Sequence, residues 1–368
     1  MNPEASSFQE RLSGAVVRSL KAAVPSLIAL GLGIVAASVL MLAFRLNPIN
    51  VFATLFSGAL QTQFGQSSVL TYMSSYLLLA LAFLIPGKAG IWNVGGQGQA
   101  FLGGITAALI IVFIPLPPGI WPLVAVAGAC VAGGLWAALP GVLEAYRSAS
   151  AIVTTIMLNF VAQSFSSFLL FYVIESKVGV SVRECNCAYF PGGATIPTLP
   201  YFNTSIMFII AIVVAIVSTW FLSRTTTGYK IRATGLGTRP AESKGINPRK
   251  TKVIAMTLGG VVAGLAGAGD VLSVGRGCYQ LACYQDGFAA GWFGGEGFAG
   301  IAVALVAVNN PIGSIFSAIF FSILAAGTAA VLQDIYVVWA MQGIIILFMA
   351  APQLSKGMLK LRGRRKWI

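Results

Sequence analysis

The chain has 368 residues, of which 57% are hydrophobic and only 9% charged, with a mean hydropathy of +0.86. Soluble domains carry about 25% charged residues, so a water-soluble globule is excluded. The net charge of +13 would fit a nucleic-acid partner, but its placement in segments flanking apolar stretches argues against one.

Ten apolar spans follow in chain order, each near the roughly 20 residues a helix needs to cross hydrocarbon. They run Val24 to Phe44, Val69 to Pro86, Gln97 to Ile114, Trp121 to Leu143 and Ile152 to Ile174. The second five run Ser205 to Leu222, Val253 to Val274, Phe288 to Val308, Ile312 to Leu332 and Ile335 to Ala351. A further apolar stretch, Val51 to Leu60, is too short to span and is expected at the interface. The fold class is therefore an all-α polytopic membrane protein of about ten transmembrane helices. Its 42 glycines suit close helix packing in lipid.

Charge orients these spans. With both termini inside, all but Arg45, Lys177, Arg183 and Arg276 of the 23 Lys and Arg fall on the cytoplasmic side, as the positive-inside rule requires. The expected organisation is a cytoplasmic segment 1–23, a transmembrane domain 24–352 and a basic cytoplasmic tail 353–368. External loops are expected at 175–204 and 275–287. Residues 1–21 hold charges and no cleavable signal pattern. Cys130 falls in the fourth span, whereas Cys185, Cys187, Cys278 and Cys283 fall in the external loops. Outside is the oxidising side, where disulfides persist. Either these four are free, or one or two bridges tie the loops, in any of three connectivities.

Absences narrow the chemistry. The sequence holds no histidine, so no His-based relay or His metal site exists, and no zinc-type CxxC pair occurs. The GxxxxGK[ST] phosphate loop is also missing. The chain is expected not to be an enzyme, to carry no cofactor and no metal, and to rely on another polypeptide for any ATP hydrolysis.

Polar residues inside the spans mark the candidate pathway. Gly90 to Gly104 reads GIWNVGGQGQAFLGG, with Asn93, Gln97 and Gln99 among glycines Gly95 and Gly98. Such backbone and side chains at membrane depth are tolerated where they line a path or are buried in protein. They either line the route or bond helix to helix. Asn159 and Gln163 lie one turn apart on one face of the fifth span, with the same two readings. A related pattern, GGEGFAGIAV from Gly294, recurs five spans after GGQGQAFLGGI from Gly95. Chance similarity or an inverted repeat would give this match, and inverted repeats are common in transporters. Glu296 is the most buried-looking acid, either functional or a plain interfacial one. Asp270 and Asp334, at span ends, are expected in headgroups or water.

The basic segment Arg224 to Lys252 holds eight Lys or Arg and one acid, Glu242. It has helix grammar. Thr238, Pro240 and Glu242 open a short helix, and Gly245 before Asn247-Pro248 closes it.

Three segments in this order, GIWNVGGQGQ, RATGLGTRPAESKGINPRKTK and GFAGIAVALVAVNNPIG, resemble permease subunits of ABC importers of the branched-chain amino acid and ribose type. The likeness is greatest to the larger permease of nucleoside and simple-sugar importers, over roughly Val69 to Pro352. Gln97 stands where that family commonly has Glu, and Trp92 where Phe or Ile is more usual. The resemblance implies half of a membrane pore, paired with a second related permease. It implies an ATP-binding subunit or tandem ATPase docked inside, and an external substrate-binding lipoprotein or protein. It places the protein in the inner or plasma membrane of a prokaryote. Carried over, Arg239, Pro240, Ala241, Glu242, Gly245 and Ile246 match the coupling helix, and Asn93, Gly95, Gln97, Gly98 and Gln99 the Gly-rich pathway segment. The family's mechanism is alternating access driven by the partner's ATP. A pore with few charges suits a neutral polar solute, with a nucleoside first and simple sugars or riboflavin-like compounds as alternatives. The rival reading, an ion-coupled secondary transporter, needs an embedded acid or His. No mid-span acid is evident in the sequence.

Overall fold

The computed structural model describes residues 31–178, 193–200, 204–273 and 295–327, with isolated positions 28, 340, 343, 344, 347 and 348. The four cysteines of the expected external loops, Cys185, Cys187, Cys278 and Cys283, lie outside the described residues. So do Asp334, the terminal segments 1–23 and 353–368, and most of the expected tenth span.

Helix α1, Gly31–Ala43, turns through 113° into α2, Pro48–Leu60. Arg45 takes the left-handed conformation at the corner (φ 60°). Asn47 then caps α2 by accepting from the Ile49 N–H, with Pro48 at the first helical position. The same Asn-Pro grammar starts two later helices. Next come α3, Gln63–Lys88, α4, Gly96–Phe113, and α5, Trp121–Arg147. Helix α6, Ala151–Phe168, continues through a π-helical stretch, Leu169–Ile174, into a short α7, Glu175–Val178. A small hairpin pairs β1, Thr198–Leu199, with β2, Thr204–Ser205. It leads to α8, Met207–Arg224, then α9, Thr226–Leu236, and α10, Thr238–Ser243. Helices α11, Pro248–Leu272, α12, Glu296–Val306, and α13, Pro311–Gly327, complete the described chain.

Among the described residues six helices are long and apolar enough to cross a membrane: α3, α4, α5, α6 with its π stretch, α8 and α11. The bent pair α1 and α2 makes a seventh if taken as one span. Four of the six lie within about four residues of the expected spans; α3 starts six residues earlier, capped by Thr62, and α11 five earlier, where Asn247 caps it and Pro248 opens it. The expected eighth and ninth spans correspond to the shorter α12 and α13.

Helix α3 is the centre. Over its most apolar stretch 78% of residues are buried, against 17% for α6. Leu77, Leu78, Leu79, Leu81 and Leu84 are all fully covered, and an all-round apolar helix is what a bundle core requires. Helix α11 packs on α3, α4 and α5 through a small-residue face, where backbones touch. A Cβ on Gly103 would stand 2.6 Å from the Gly264 Cα, and one on Gly133 2.8 Å from the same atom. Lipid gives helices no hydrophobic reason to associate, so this close approach and its dispersion contacts hold the bundle.

One end of the bundle carries α9, α10, Lys88 and Arg147. There the Lys252 ammonium pairs with the Glu144 carboxylate at 3.3 Å, and Glu144 also accepts from the Ala151 N–H. One acid thus ties together the adjoining ends of α5, α6 and α11. At the opposite end the chain ahead of α8 meets α11: the Ile196 N–H donates to the Leu272 carbonyl at 2.9 Å, and Gly269 packs against Met207 at the start of α8.

Candidate functional site

Helix α4 does not begin at the end of α3. After Lys88 the chain turns and runs back beside α3, and the Asn93 amide donates to the Ala82 carbonyl at 3.1 Å. Gly96, the first residue of α4, then lies against Leu79 of α3. Leu79 is nine residues from Lys88, about 14 Å along the axis and close to half the roughly 30 Å of hydrocarbon. Helix α4 continues towards the opposite end, where the Gly119 N–H after it meets the Gly193 carbonyl at 3.2 Å.

Helix α12 starts at the same depth and runs the other way. A Cβ on Gly300 would stand 2.6 Å from the Leu79 Cβ, and one on Gly297 2.5 Å from the Gln97 Cβ. Beyond α12, α13 crosses back and brings Ala326 against Val69 and Ala59, near the start of α3. Its 17 residues span about 25 Å, so the α12–α13 turn lies near the Lys88 end. The N-termini of α4 and α12 therefore meet at mid-depth and point in opposite directions. Each carries the partial positive charge of unpaired N–H groups. Glu296, buried, occupies the first turn of α12, where a carboxylate is favoured.

The amides at this junction are tightly held. Asn93 and Gln99 form a reciprocal pair. The Asn93 amide donates to Gln99 Oε1 at 2.9 Å, and the Gln99 amide donates to Asn93 Oδ1 at 2.8 Å. Asn93 Oδ1 also accepts from the Gly95 N–H. Both side chains are 1% exposed. Asn159 of α6 accepts from the Gly98 N–H at 2.8 Å and donates to the Val94 carbonyl at 3.0 Å. It caps the first turn of α4 from another helix, and Gly98 leaves room for it: a Cβ there would stand 2.8 Å from Asn159 Oδ1. Gln163, one turn beyond Asn159, is half-buried. The structure thus brings Asn93, Gly95, Gln97, Gly98, Gln99, Asn159 and the start of α12 with Glu296 into one layer.

Asp270 corrects the sequence expectation. It is not in headgroups or water but 1% exposed, and Ser75 of α3 donates to its carboxylate at 2.6 Å. Ser75 is one turn from Leu79, so this acid borders the same layer. Its neighbours in α11 are packed as well, Gly269 against Met207 and Leu272 bonded to Ile196; counting residues to the end of a span does not reveal such burial. A serine opposite an acid on another span carries no local signal either.

The second group lies at the Lys88 end. Helix α10 is the short helix expected there. Gly245 is left-handed (φ 74°); its N–H donates to the Glu242 carbonyl at 2.9 Å, and the Ile246 N–H to the Ala241 carbonyl at 3.1 Å. These two bonds and the burial of Ala241 and Ile246 make a Schellman stop. Asn247 then caps α11 by accepting from the Lys250 N–H. Arg239, Pro240, Glu242 and Gly245 are exposed, and Glu242 and Gly245 help line a shallow pocket with Pro248 and Arg249.

Comparison with known proteins decides the family. The model of the branched-chain amino acid transport system permease component matches residues 65–350. The chain belongs to this family. It is a multi-pass ABC transporter permease subunit, and ATP hydrolysis falls to a separate ATPase subunit. The permease is 30% identical to the nucleoside ABC transporter permease protein NupB of Lactococcus lactis, over 93% of this chain and 94% of that protein. It is 29% identical to the glucose ABC transporter permease protein TsgB13 of Haloferax volcanii, over 86% and 84%. It is 27% identical to the guanosine ABC transporter permease protein NupP of Bacillus subtilis, over 95% and 99%. Membership of the family implies a substrate-binding partner as well as the ATPase.

Proposed function

We propose that this permease forms half of the translocation route of an ATP-driven importer in a prokaryotic plasma membrane, with a nucleoside as substrate. The observation that carries the reading is the meeting of α4 and α12, head to head, at mid-depth beside Leu79. Oppositely directed half-helices are what an inverted repeat gives, and their ends form solute sites in transporters. In this reading Gln97, Gln163 and Glu296 face the route, while Asn93, Gln99 and Asn159 hold the α4 start in position. Hydrogen-bonding amides and a carboxylate suit the hydroxyls and ring N–H groups of a nucleoside. The nucleoside assignment rests on NupB and NupP; TsgB13 keeps a sugar as the second reading.

The end bearing α10 faces the cytoplasm, both termini lie on that side, and about ten helices cross. A second, related permease completes the pore. A disulfide joins or closes the loops that hold Cys185, Cys187, Cys278 and Cys283. Helix α10 docks the ATPase: buried Ala241 and, just after the helix, buried Ile246 fix it to the bundle, and its exposed Arg239, Pro240 and Glu242 meet the partner.

The test is uptake by the complete importer in proteoliposomes. Labelled guanosine should enter only with ATP, should not be displaced by glucose or riboflavin, and should still enter when an ionophore collapses ion gradients. The last arm matters because Asp270 and Glu296 are the embedded acids an ion-coupled carrier would need. Glu242→Arg should abolish uptake while the permease remains in the membrane. Gly245→Val forces a β-branched residue left-handed at roughly 1–2 kcal/mol and should do the same, whereas Gly245→Asn should keep most activity. Full uptake and substrate-stimulated ATPase in Glu242→Arg and Gly245→Val would show that α10 is not the docking element.

A further inference from the structure

Helix α12 stops in the same way as α10, but with a different residue at the critical place. The Val308 N–H donates to the Leu305 carbonyl at 3.1 Å, and the Asn309 N–H to the Ala304 carbonyl at 2.9 Å. This is the Schellman pattern, whose left-handed position usually holds glycine. Gly245 meets that demand after α10, and Gly90 meets it after α3. After α12 the position is Val308, at φ 53°, followed by Asn309 at φ 54°. Asn visits this region readily, whereas a β-branched residue there is strained. Tight packing does not impose the conformation, since Val308 is 41% exposed. The shortness of the turn does: the chain reverses between Val306 and Pro311, and Asn310 accepts from the Ile312 N–H to start α13.

The two helices on either side are held unequally. At the far end of α13, Gly327 lies directly on the Leu55 carbonyl of α2, and a Cβ would overlap that oxygen. Helix α12 is preceded by Gly295 at φ 96°, a conformation that glycine adopts without steric cost. It rests on Gln97 and Leu79 through Gly297 and Gly300. At those two contacts α12 brings no side chain that must disengage. Of the pair, α12 is therefore the helix able to slide, between a relaxed left-handed glycine and a strained left-handed valine. Hinges of domain and helix movements lie at such element ends, and backbone strain collects where a mechanism uses it.

We infer that Val308 is a positioning residue for transport. Its strained turn makes the present placement of α12 the sprung one of two. Return of Val308 to right-handed backbone swings α12 about Gly295 and parts its start from Gln97. Glycine at 308 would hold the turn at no steric cost; valine keeps both placements populated, as alternating access requires. This inference rests on the reading of the α4–α12 junction as the solute site.

The experiment uses the assembled importer in proteoliposomes. Spin-label amino acids at positions 298 and 312, both exposed and on either side of the turn, report the placement of α12 against α13 without reference to any solute. Two distance populations are expected with valine at 308. Val308→Gly removes the strain, so it should favour the present placement about ten-fold and raise the melting temperature by a few degrees. The maximal rate of guanosine uptake should fall by a similar factor, with a smaller change in the half-saturating concentration. Val308→Asn should shift all three in the same direction, and Val308→Ile, which keeps the β-branch, should stay near wild type. Identical distances in wild type and Val308→Gly would overturn the hinge, whatever the solute. An unchanged melting temperature would show that no strain is held, and shifted distances with normal uptake would remove Val308 from transport; either overturns the proposal. Absence of guanosine uptake in the wild type would sink the nucleoside reading alone, because the distance shift still decides the hinge.

Discussion

Asn159→Ala should lose uptake and thermal stability together. The side chain satisfies two backbone groups of another segment, the Gly98 N–H and the Val94 carbonyl. Both lie near the middle of the bilayer, where no bulk water replaces a lost partner. Each orphaned group costs about 1–3 kcal/mol, so the pair amounts to a large share of a typical folding stability. The start of α4 would shift, and with it the packing of Gln97 on Gly297 and the whole half-helix junction. Asn159→Asp keeps the acceptor for the Gly98 N–H, so its melting temperature should fall less than that of Asn159→Ala. A side chain proposed to face the route behaves differently: Gln97→Ala should slow uptake more than it lowers the melting temperature. Melting curves and uptake measured on the same preparation decide it. A wild-type melting temperature for Asn159→Ala would refute the capping role.

Gly264→Val should prevent recovery of a folded permease from the membrane. Three helices share this point. A Cβ on Gly264 would overlap the Ala129 carbonyl oxygen, and Gly103 and Gly133 approach its Cα from α4 and α5. The opposing atoms are backbone, so no rotamer change relieves the clash and α5 must move away from α11. Overpacking a core costs typically about 1–3 kcal/mol and occasionally more. Here it also removes the close approach that holds helices together in lipid. Even Gly264→Ala should reduce the yield of monodisperse protein. Gly31→Ala makes the control, since nothing lies within 4 Å of a Cβ there. Equal size-exclusion profiles for Gly31→Ala and Gly264→Val would mean that the three-helix contact does not hold the bundle.

Much of this permease is legible in its residues, because some signals are local. Long apolar runs must be helices in hydrocarbon, so α4, α5, α6 and α8 fall within about four residues of where hydropathy places them. The stop at Gly245 and the start at Asn247-Pro248 are equally local, since a left-handed glycine and an Asn cap act within a few residues. The likeness of GGQGQ to GGEGF marked the two segments that prove to touch. Their motif also carried the family, which the comparison then established.

Other features depend on partners far apart in the chain. Nothing near Asn159 announces that its amide caps a helix sixty residues earlier, nor does Asp270 announce the Ser75 hydroxyl beside it. Whether an amide lines a route or closes a neighbour's hydrogen bonds depends on which backbone group stands opposite, and only packing sets that. The same holds for Val308: an apolar residue at a span end reads as unremarkable until the turn is seen to hold it left-handed. The sequence by itself determined a helical membrane bundle, its Gly-rich break points and its short helix at the basic end. Tertiary structure alone decided that α4 and α12 begin at mid-depth and point apart, because Asn159 of α6 caps the start of α4 and Leu79 of α3 packs against both helices.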